Sequence, residues 1–593
     1  MSSKYLELVK YYSDLKGKEA AKSNIISLLR LFLALMVLIS VYRFFQDFQT
    51  IWTIISLVLI IIFLILVKIH KRVIDSEHIY FYLTQINEDE NEYIQHDYLP
   101  FDNGEEYLSP FNPFTIDLDI FGIQSLFQHI NRTETFMGKE RLSQILIIGL
   151  EPNNIVFYNE AIQELVAKLT WRQNFRAVAR LYPDNKEAYS SLIKWADMPA
   201  NTVTVFQRIL YYLFPVVLNI SAFLFIINRV QFLALICCIL FLVNLLILLI
   251  NYQNVQNSFL LAEKAYKAIE KYSQLIRMIE IEEFSSLTLK ELKLTLKSNQ
   301  IEASKYIKRF AGILEKFETI NNPWALILLN GFFLYHLHTL VSLSEWKLQH
   351  SFHLKSFLNT VGEFDALGSL ANFAFNNPDF IYPKINYEGS LCFKGLSHPL
   401  IKKHLRVLSD ISFNEQRFIL LTGSNMSGKS TFLRTLGINI VLAKAGLPVC
   451  ASDANIFPFE ILSCIRKTDS LQENESYFLA ELKSLKLIID KLKQGDICFL
   501  ILDEILRGTN SKDKQIGTIA LIEKLISLKA IGIIATHDLE VCELSYKYQD
   551  YLSNKCFEVE ISNNELVFDY KLREGICKNT SASFLLKQMK IID

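Results

Sequence analysis

Eight consecutive residues constrain this chain of 593 more than any others: GSNMSGKS, positions 423–430. They fill every fixed position of the pattern G-x-x-x-x-G-K-[ST], between an apolar run, RFILL, and a helix-forming one, STFLRTLGINIVLA. Gly423 and Gly428 let the backbone curl so that its N–H groups point inward, and the following helix N-terminus adds partial positive charge. The loop predicted here is a cradle for phosphate oxygens, built from Gly423, Ser424, Asn425, Met426, Ser427, Gly428, Lys429, Ser430 and Thr431. In that cradle Lys429 reaches the β- and γ-phosphates of ATP, and the Ser430 hydroxyl is a ligand for Mg2+.

Two further runs supply what such a loop needs for chemistry. ICFLILDE is an apolar strand ending in two acids. Asp503 is the expected holder of the magnesium ion, and Glu504 the group that orients or deprotonates the attacking water. IGIIATHD places His537 just past another apolar run, within reach of the γ-phosphate or that water. Two acids at a strand end are also a common surface cap, and a lone His after a strand is usually bland; the matched loop favours the functional reading of both.

The same chain carries four apolar runs, at residues 25–42, 51–67, 209–227 and 232–250. Each approaches the ~20 helical residues that cross ~30 Å of hydrocarbon. They pair into two tight hairpins, turning at RFFQDFQT and NRVQ. Basic residues flank the first pair on one side (Lys4, Lys10, Lys16, Lys18 and Lys22 before it, Lys68, Lys71 and Arg72 after it), and the far turns hold only Arg43 and Arg229. The excess of basic flanks predicts both termini, and everything between the hairpins, on the cytoplasmic side of a multi-pass, bacterial-type inner membrane. The alternative is that these are core helices of a large soluble protein. A fifth run, WALILLNGFFLYHLHTLVSL, contains Asn330, His336 and His338 and is expected to be a buried core helix.

The rest of the chain divides by texture. Residues 73–117 read as an acidic linker and irregular stretch, 118–208 and 251–379 as helical, and 380–593 as short strands alternating with helices. Residues 1–72 and 209–250 hold the hairpins. The fold expected is an α/β phosphate-loop domain at the C-terminus, an all-α region before it, and four transmembrane helices. No other internal repeat is evident. Net charge is −1, so no global basic field points to a polyanion, and any nucleic-acid contact must be local. None of the nine cysteines forms a C-x-x-C pair, which favours buried free thiols in a reducing compartment. The N-terminal stretch is too long and too charged in both signs for a signal peptide, and reads as an amphipathic helix.

Together the motifs resemble the MutS family of DNA mismatch-repair ATPases. The resemblance lies in TGSNMSGKSTFLRT with its Asn425–Met426 pair, in DEILRGTN at 503–510, in ATHD, and in ENESYFLAEL through Ser476, Phe478 and Glu481. LSHPL at 396–400 is similar to the short motif that leads into that family's ATPase domain, and there is no LSGGQ signature. Residues 118–208 and 255–379 also look like its core and lever. The resemblance implies ATP and Mg2+ as cofactors and a homodimer in which Ser476 contacts the γ-phosphate held by the other subunit, with Arg507 and Asn510 at the seam. Ser476 is also a plain helix N-cap before YFLAELKSLKLIIDKL.

The chain departs from the family where DNA is read. The mismatch-reading domain has no counterpart, the DNA clamp position holds the second hairpin, and no nuclease tail is expected. DNA as a partner therefore rests on analogy, with Lys290, Lys293, Lys297, Lys305, Lys308 and Arg309 on the lever as either its contacts or an ordinary solvated face. The expected function is a dimeric MutS-like ATPase acting on DNA while tethered to the lipid bilayer. The alternative is a membrane-anchored mechanochemical ATPase without a DNA role. A transporter is disfavoured because the spans carry almost no internal charge to line a path.

Overall fold

The structure, a computed structural model, describes residues 2–47, 49–96, 98–109, 112–182, 184–200, 203–228, 230–298, 301–424, 427–465, 477–506, 510–562 and 565–577. The chain forms two compact units. One comprises residues 1–100, 133–140 and 168–366, and the other residues 101–132, 141–167 and 367–593.

The first unit is almost wholly helical. It begins with a long helical hairpin, Ser2–Asp47 and Thr50–His96. The segment expected to be an acidic linker is helical as far as His96. Its apolar residues recur at helical spacing, so Leu83 and Ile86 bury against Tyr12 of the first helix. Two of its acids are paired inside the unit, while Glu88 and Glu92 are exposed. Glu90 pairs with Arg176, and Asp89 with Arg180, of the helix Leu169–Arg180. Nearer the turn, Ser40 and Ser56 hydrogen-bond between the helices at 2.8 Å, while the outer faces expose Leu28, Leu31, Phe32, Ile54 and Leu57.

A second hairpin, Val205–Asn228 and Gln231–Ile250, leads through Asn251 into Tyr252–Ile281. That helix and Ala303–Phe317 bury a shared core that includes Ile269, Tyr272, Ile276, Phe310 and Leu314. Phe310 stacks on Trp346 with centroids 4.1 Å apart, and Trp195 stacks on Phe310. Among the described residues four helices are long and apolar enough to cross a membrane: Ser2–Asp47, Ile51–His96, Val205–Phe225 and Gln231–Ile250.

The fifth apolar run is only in part the buried core helix expected of it: Leu334, Leu337, Val341 and Leu343 are buried. The chain breaks at Leu334, which takes a left-handed φ of 47°, into helices Pro323–Phe333 and Tyr335–Asn376 bent by 80°. The shorter helix leaves Trp324, Ile327 and Leu328 exposed. Asn330 explains the break: its side chain accepts from the His336 N–H at 3.0 Å, replacing a helical bond.

The second unit is the expected α/β layer. Its main sheet has six strands, ordered Leu572–Glu574, Leu552–Phe557, Phe418–Gly423, Ile531–Ala535, Cys498–Asp503 and Glu460–Cys464, all parallel except the first. The three central strands are buried at every residue, as their unbroken apolar runs require. Glu560–Ser562 and Glu565–Val567 pair as a hairpin. A four-stranded sheet (Lys384–Ile385, Asp453–Ile456, Leu391–Leu396, Ser409–Ser412) completes the unit. Residues 101–132 join through Asp117, whose carboxylate accepts from Ser463 Oγ at 2.6 Å and the Ile465 N–H at 3.0 Å. All nine cysteines carry free thiols, six of them buried.

Candidate nucleotide site

The strand order brings three sequence-distant motifs to one edge. Phe418–Gly423 and Cys498–Asp503 flank Ile531–Ala535, all three parallel, so their C-terminal ends lie side by side. Ligands of open α/β sheets bind outside such ends. The phosphate loop leaves the first strand, Asp503 and Glu504 end the second, and His537 follows the third.

Each predicted residue that is described can be located. Gly428 has φ 101° and caps the helix Lys429–Lys444, and a Cβ there would lie 3.0 Å from the Tyr570 ring. At Gly423 a Cβ would meet Ser427 Oγ at 2.6 Å and the Phe557 carbonyl at 3.1 Å, so a side chain there would displace both. Lys429 is buried, and its ammonium folds back on the loop, donating to the carbonyls of Gly423 at 2.6 Å and Ser424 at 3.0 Å. Ser430 Oγ donates to Asp503 Oδ2 at 2.6 Å. Glu504 Oε1 stands 3.9 Å from Lys429 Nζ and 3.6 Å from His537 Nδ1. Thr431 is exposed in the same cavity wall. Asn425, Met426, Ser476, Arg507 and Arg229 lie outside the described residues.

This arrangement fits a magnesium–nucleotide complex. Ser424 Oγ and Ser427 Oγ are buried without a hydrogen-bond partner among the described residues, and buried hydroxyls ordinarily have one. A hydroxyl and a carboxylate, Ser430 and Asp503, form a hard-oxygen pair of the kind Mg2+ takes. Lys429 provides the positive charge.

The sequence reading missed the rest of the cavity, which is about 810 Å3 and extends from the phosphate loop to Ile401, Leu405, Val407, Phe557 and Tyr570. These apolar groups come from segments far apart in sequence, so no local pattern announces them. Also on this wall, His398 is pushed down to about 4 by burial, with Arg434 and Arg406 nearby. Its Nδ1 accepts from the Leu400 N–H at 3.3 Å, as a neutral ring does. Glu481, known from sequence only as part of a motif, is buried and accepts the Leu506 N–H at 2.7 Å. It therefore braces the loop that carries Glu504.

Comparison with known proteins agrees with this geometry. Residues 419–590 match MutS domain V. The DNA mismatch repair protein MutS of Thermotoga petrophila is 33% identical over 229 residues, covering 38% of this chain and 28% of that protein. MutS protein homolog 4 of Homo sapiens is 30% identical over 240 residues, covering 38% of this chain and 25% of its own length. The match thus spans about a quarter of these relatives. MutS domain V is an ATPase domain, and the C-terminal region of this chain carries one.

Proposed function

We propose that the chain is a membrane-tethered MutS-like ATPase that hydrolyses ATP with Mg2+, works as a homodimer and acts on DNA. The observation that carries the catalytic part is the convergence of Lys429, the Ser430–Asp503 pair, Glu504 and His537 at the ends of three adjacent strands. Lys429 exchanges the loop carbonyls for the β- and γ-phosphates. Ser430 and Asp503 hold the magnesium ion, which neutralises phosphate charge. Glu504 accepts the proton of the attacking water or orients it, with His537 beside it. Because this chemistry is mostly positioning and charge stabilisation, the bracing of these groups matters as much as their identity.

The membrane reading is supported by the four long apolar helices, whose outer faces expose Leu, Ile and Phe. It puts the spans in a bacterial-type inner membrane, with both termini and the ATPase domain in the cytoplasm. DNA action is supported by the family relationship and by the exposed Lys290, Lys297, Lys305, Lys308 and Arg309. Dimerisation is supported by the family relationship, in which Ser476 would reach the other copy's nucleotide. A second reading, an ATPase that moves its membrane segments or a protein partner without DNA, is favoured by one observation. Only Asn251 separates the helix Gln231–Ile250 from the lever helix Tyr252–Ile281.

The test is ATP turnover by detergent-purified protein with and without duplex and branched DNA. Stimulation that weakens between roughly 50 and 200 mM salt supports the first reading, whereas no stimulation and salt-independent behaviour support the second. Protein recovered entirely in the soluble fraction without detergent refutes the membrane tether.

A further inference from the structure

No Asp, Glu, Lys or Arg lies between Glu318 and Glu345. Within this segment the helix Pro323–Phe333 is 11 residues long. At 1.5 Å per residue it spans about 16 Å, roughly half the hydrocarbon thickness of a bilayer. Its outer face carries Trp324, Ile327, Leu328 and Phe333 at 75, 43, 49 and 52% exposure. Its inner face lies on the second hairpin. Gly331 approaches so closely that a Cβ would come within 2.1 Å of the Phe241 ring.

The break after this helix is closed by side-chain amides, those of Asn244 and Asn330 buried. Asn244 Nδ2 donates to the Gly331 carbonyl at 2.8 Å, and Asn219 Nδ2 to the Phe332 carbonyl at 3.1 Å. Asn330 closes the bend on the His336 N–H, and Thr319 Oγ1 meets His336 Nε2 at 3.0 Å. The last carbonyls of a helix have no intrahelical partner. In water they need none from the protein; in hydrocarbon, irregular backbone persists only where protein groups satisfy it. Two asparagines from two apolar helices satisfy this helix end. The exposed surface is also continuous with the hairpin, because Val216, Ile220 and Phe223 line one groove with Phe333.

We propose that Pro323–Phe333 is a half-membrane helix. It enters one leaflet, is seated on the second hairpin by Asn219 and Asn244, and is covered on its outer face by lipid acyl chains. The inference rests on the membrane reading of the four long helices. A segment that enters and returns leaves the residues before and after it in one compartment, which a fifth full span would not.

The test uses full-length protein in vesicles, with Cys237, Cys238 and Cys392 changed to Ser and one fluorescent cysteine label placed by Leu328→Cys, Ile220→Cys or Lys305→Cys. Lipids brominated on their acyl chains quench from the hydrocarbon, and iodide quenches from water. The expected result is that brominated lipids quench the label at position 328 as strongly as the one at 220, and that iodide reaches only the one at 305. Lipids brominated near the headgroup should quench at 328 more than those brominated at the chain ends. Quenching by iodide at 328, or by neither agent there because another protein surface covers it, overturns the half-helix while leaving the tether intact. Loss of lipid quenching at 220 as well overturns the tether itself.

Discussion

Leu506 donates its backbone N–H to Glu481 Oε1 at 2.7 Å, 25 residues back along the chain. The bond spans the loop in which both Glu504, at φ 46°, and Leu506, at φ 60°, take left-handed backbone. Such conformations cost on the order of 1–3 kcal/mol each and persist only when surrounding contacts enforce them. Glu481→Ala should therefore relax the loop and misplace the Glu504 carboxylate. Turnover should fall by roughly 10- to 100-fold, the scale of a displaced catalytic group, while nucleotide affinity changes little. Glu481→Gln keeps the accepting oxygen, and its amide takes the place of an oxygen that is buried and unpartnered among the described residues. It should retain most activity. Steady-state turnover with fluorescent-nucleotide titration checks both; equal loss in the two variants would refute the bracing role.

Lys429 and Glu504 are 3.9 Å apart but should fail differently. If Lys429 meets the phosphates as proposed, Lys429→Ala removes that charge, and nucleotide binding itself should drop by roughly 100-fold or more, as for a buried charge-assisted contact. Glu504→Gln leaves the phosphate cradle whole. Binding should persist while hydrolysis falls by roughly 100- to 10,000-fold, the range of general-base catalysis, and the ATP-bound state should accumulate as dimer. His537→Ala should lower turnover less than Glu504→Gln and leave binding unchanged. Light scattering with ATP checks the dimer, and a monomeric Glu504→Gln protein would refute it.

Asp365 gives the helical unit a pH dependence. Burial raises its carboxyl to about 6 even though Thr135 Oγ1 and the N–H groups of Thr135 and Glu134 donate to Oδ2. The folded state thus favours the protonated acid, which the unfolded chain loses near 3.8. Stability falls as pH rises across that window and is level above it. The full effect is on the order of 3 kcal/mol. Asp365→Asn, neutral throughout, should match the parent near the acid end and gain on it towards neutrality. Thermal unfolding midpoints across that range measure the difference, and parallel curves would refute it.

What could be read from sequence was what is covalently local. The phosphate loop, the two acids of DEILRGTN and the His of ATHD are contiguous motifs, and each sits where its flanking strand put it. The apolar wall of the cavity was not legible, because Leu405 and Tyr570 meet only after the sheet forms. Nor was the break at Leu334, where one amide, Asn330, reroutes an apolar run that composition alone assigns to a core. Residues 73–96 misled for the same reason: Asp89 and Glu90 look solvated until Arg176 and Arg180 arrive from a distant helix.

That last pairing is itself testable. Glu90 Oε1 lies 3.3 Å from Arg176 Nη1, and both side chains are buried. Burial also lowers the neighbouring Arg172 to about 10, with Glu90 among the groups that oppose the shift. Glu90→Ala strands this positive charge, and breaking a buried pair costs about 3–5 kcal/mol. The lower end is expected, since Glu134 remains 3.4 Å from Arg176. Replacing both partners, as in Glu90→Leu with Arg176→Met, removes the desolvation penalty along with the attraction. The double variant should therefore be more stable than Glu90→Ala alone, by a margin visible in the thermal midpoint. A double variant less stable than the single one would mean that Arg176 is held chiefly by other groups, and that the acidic helix end is not what fixes it.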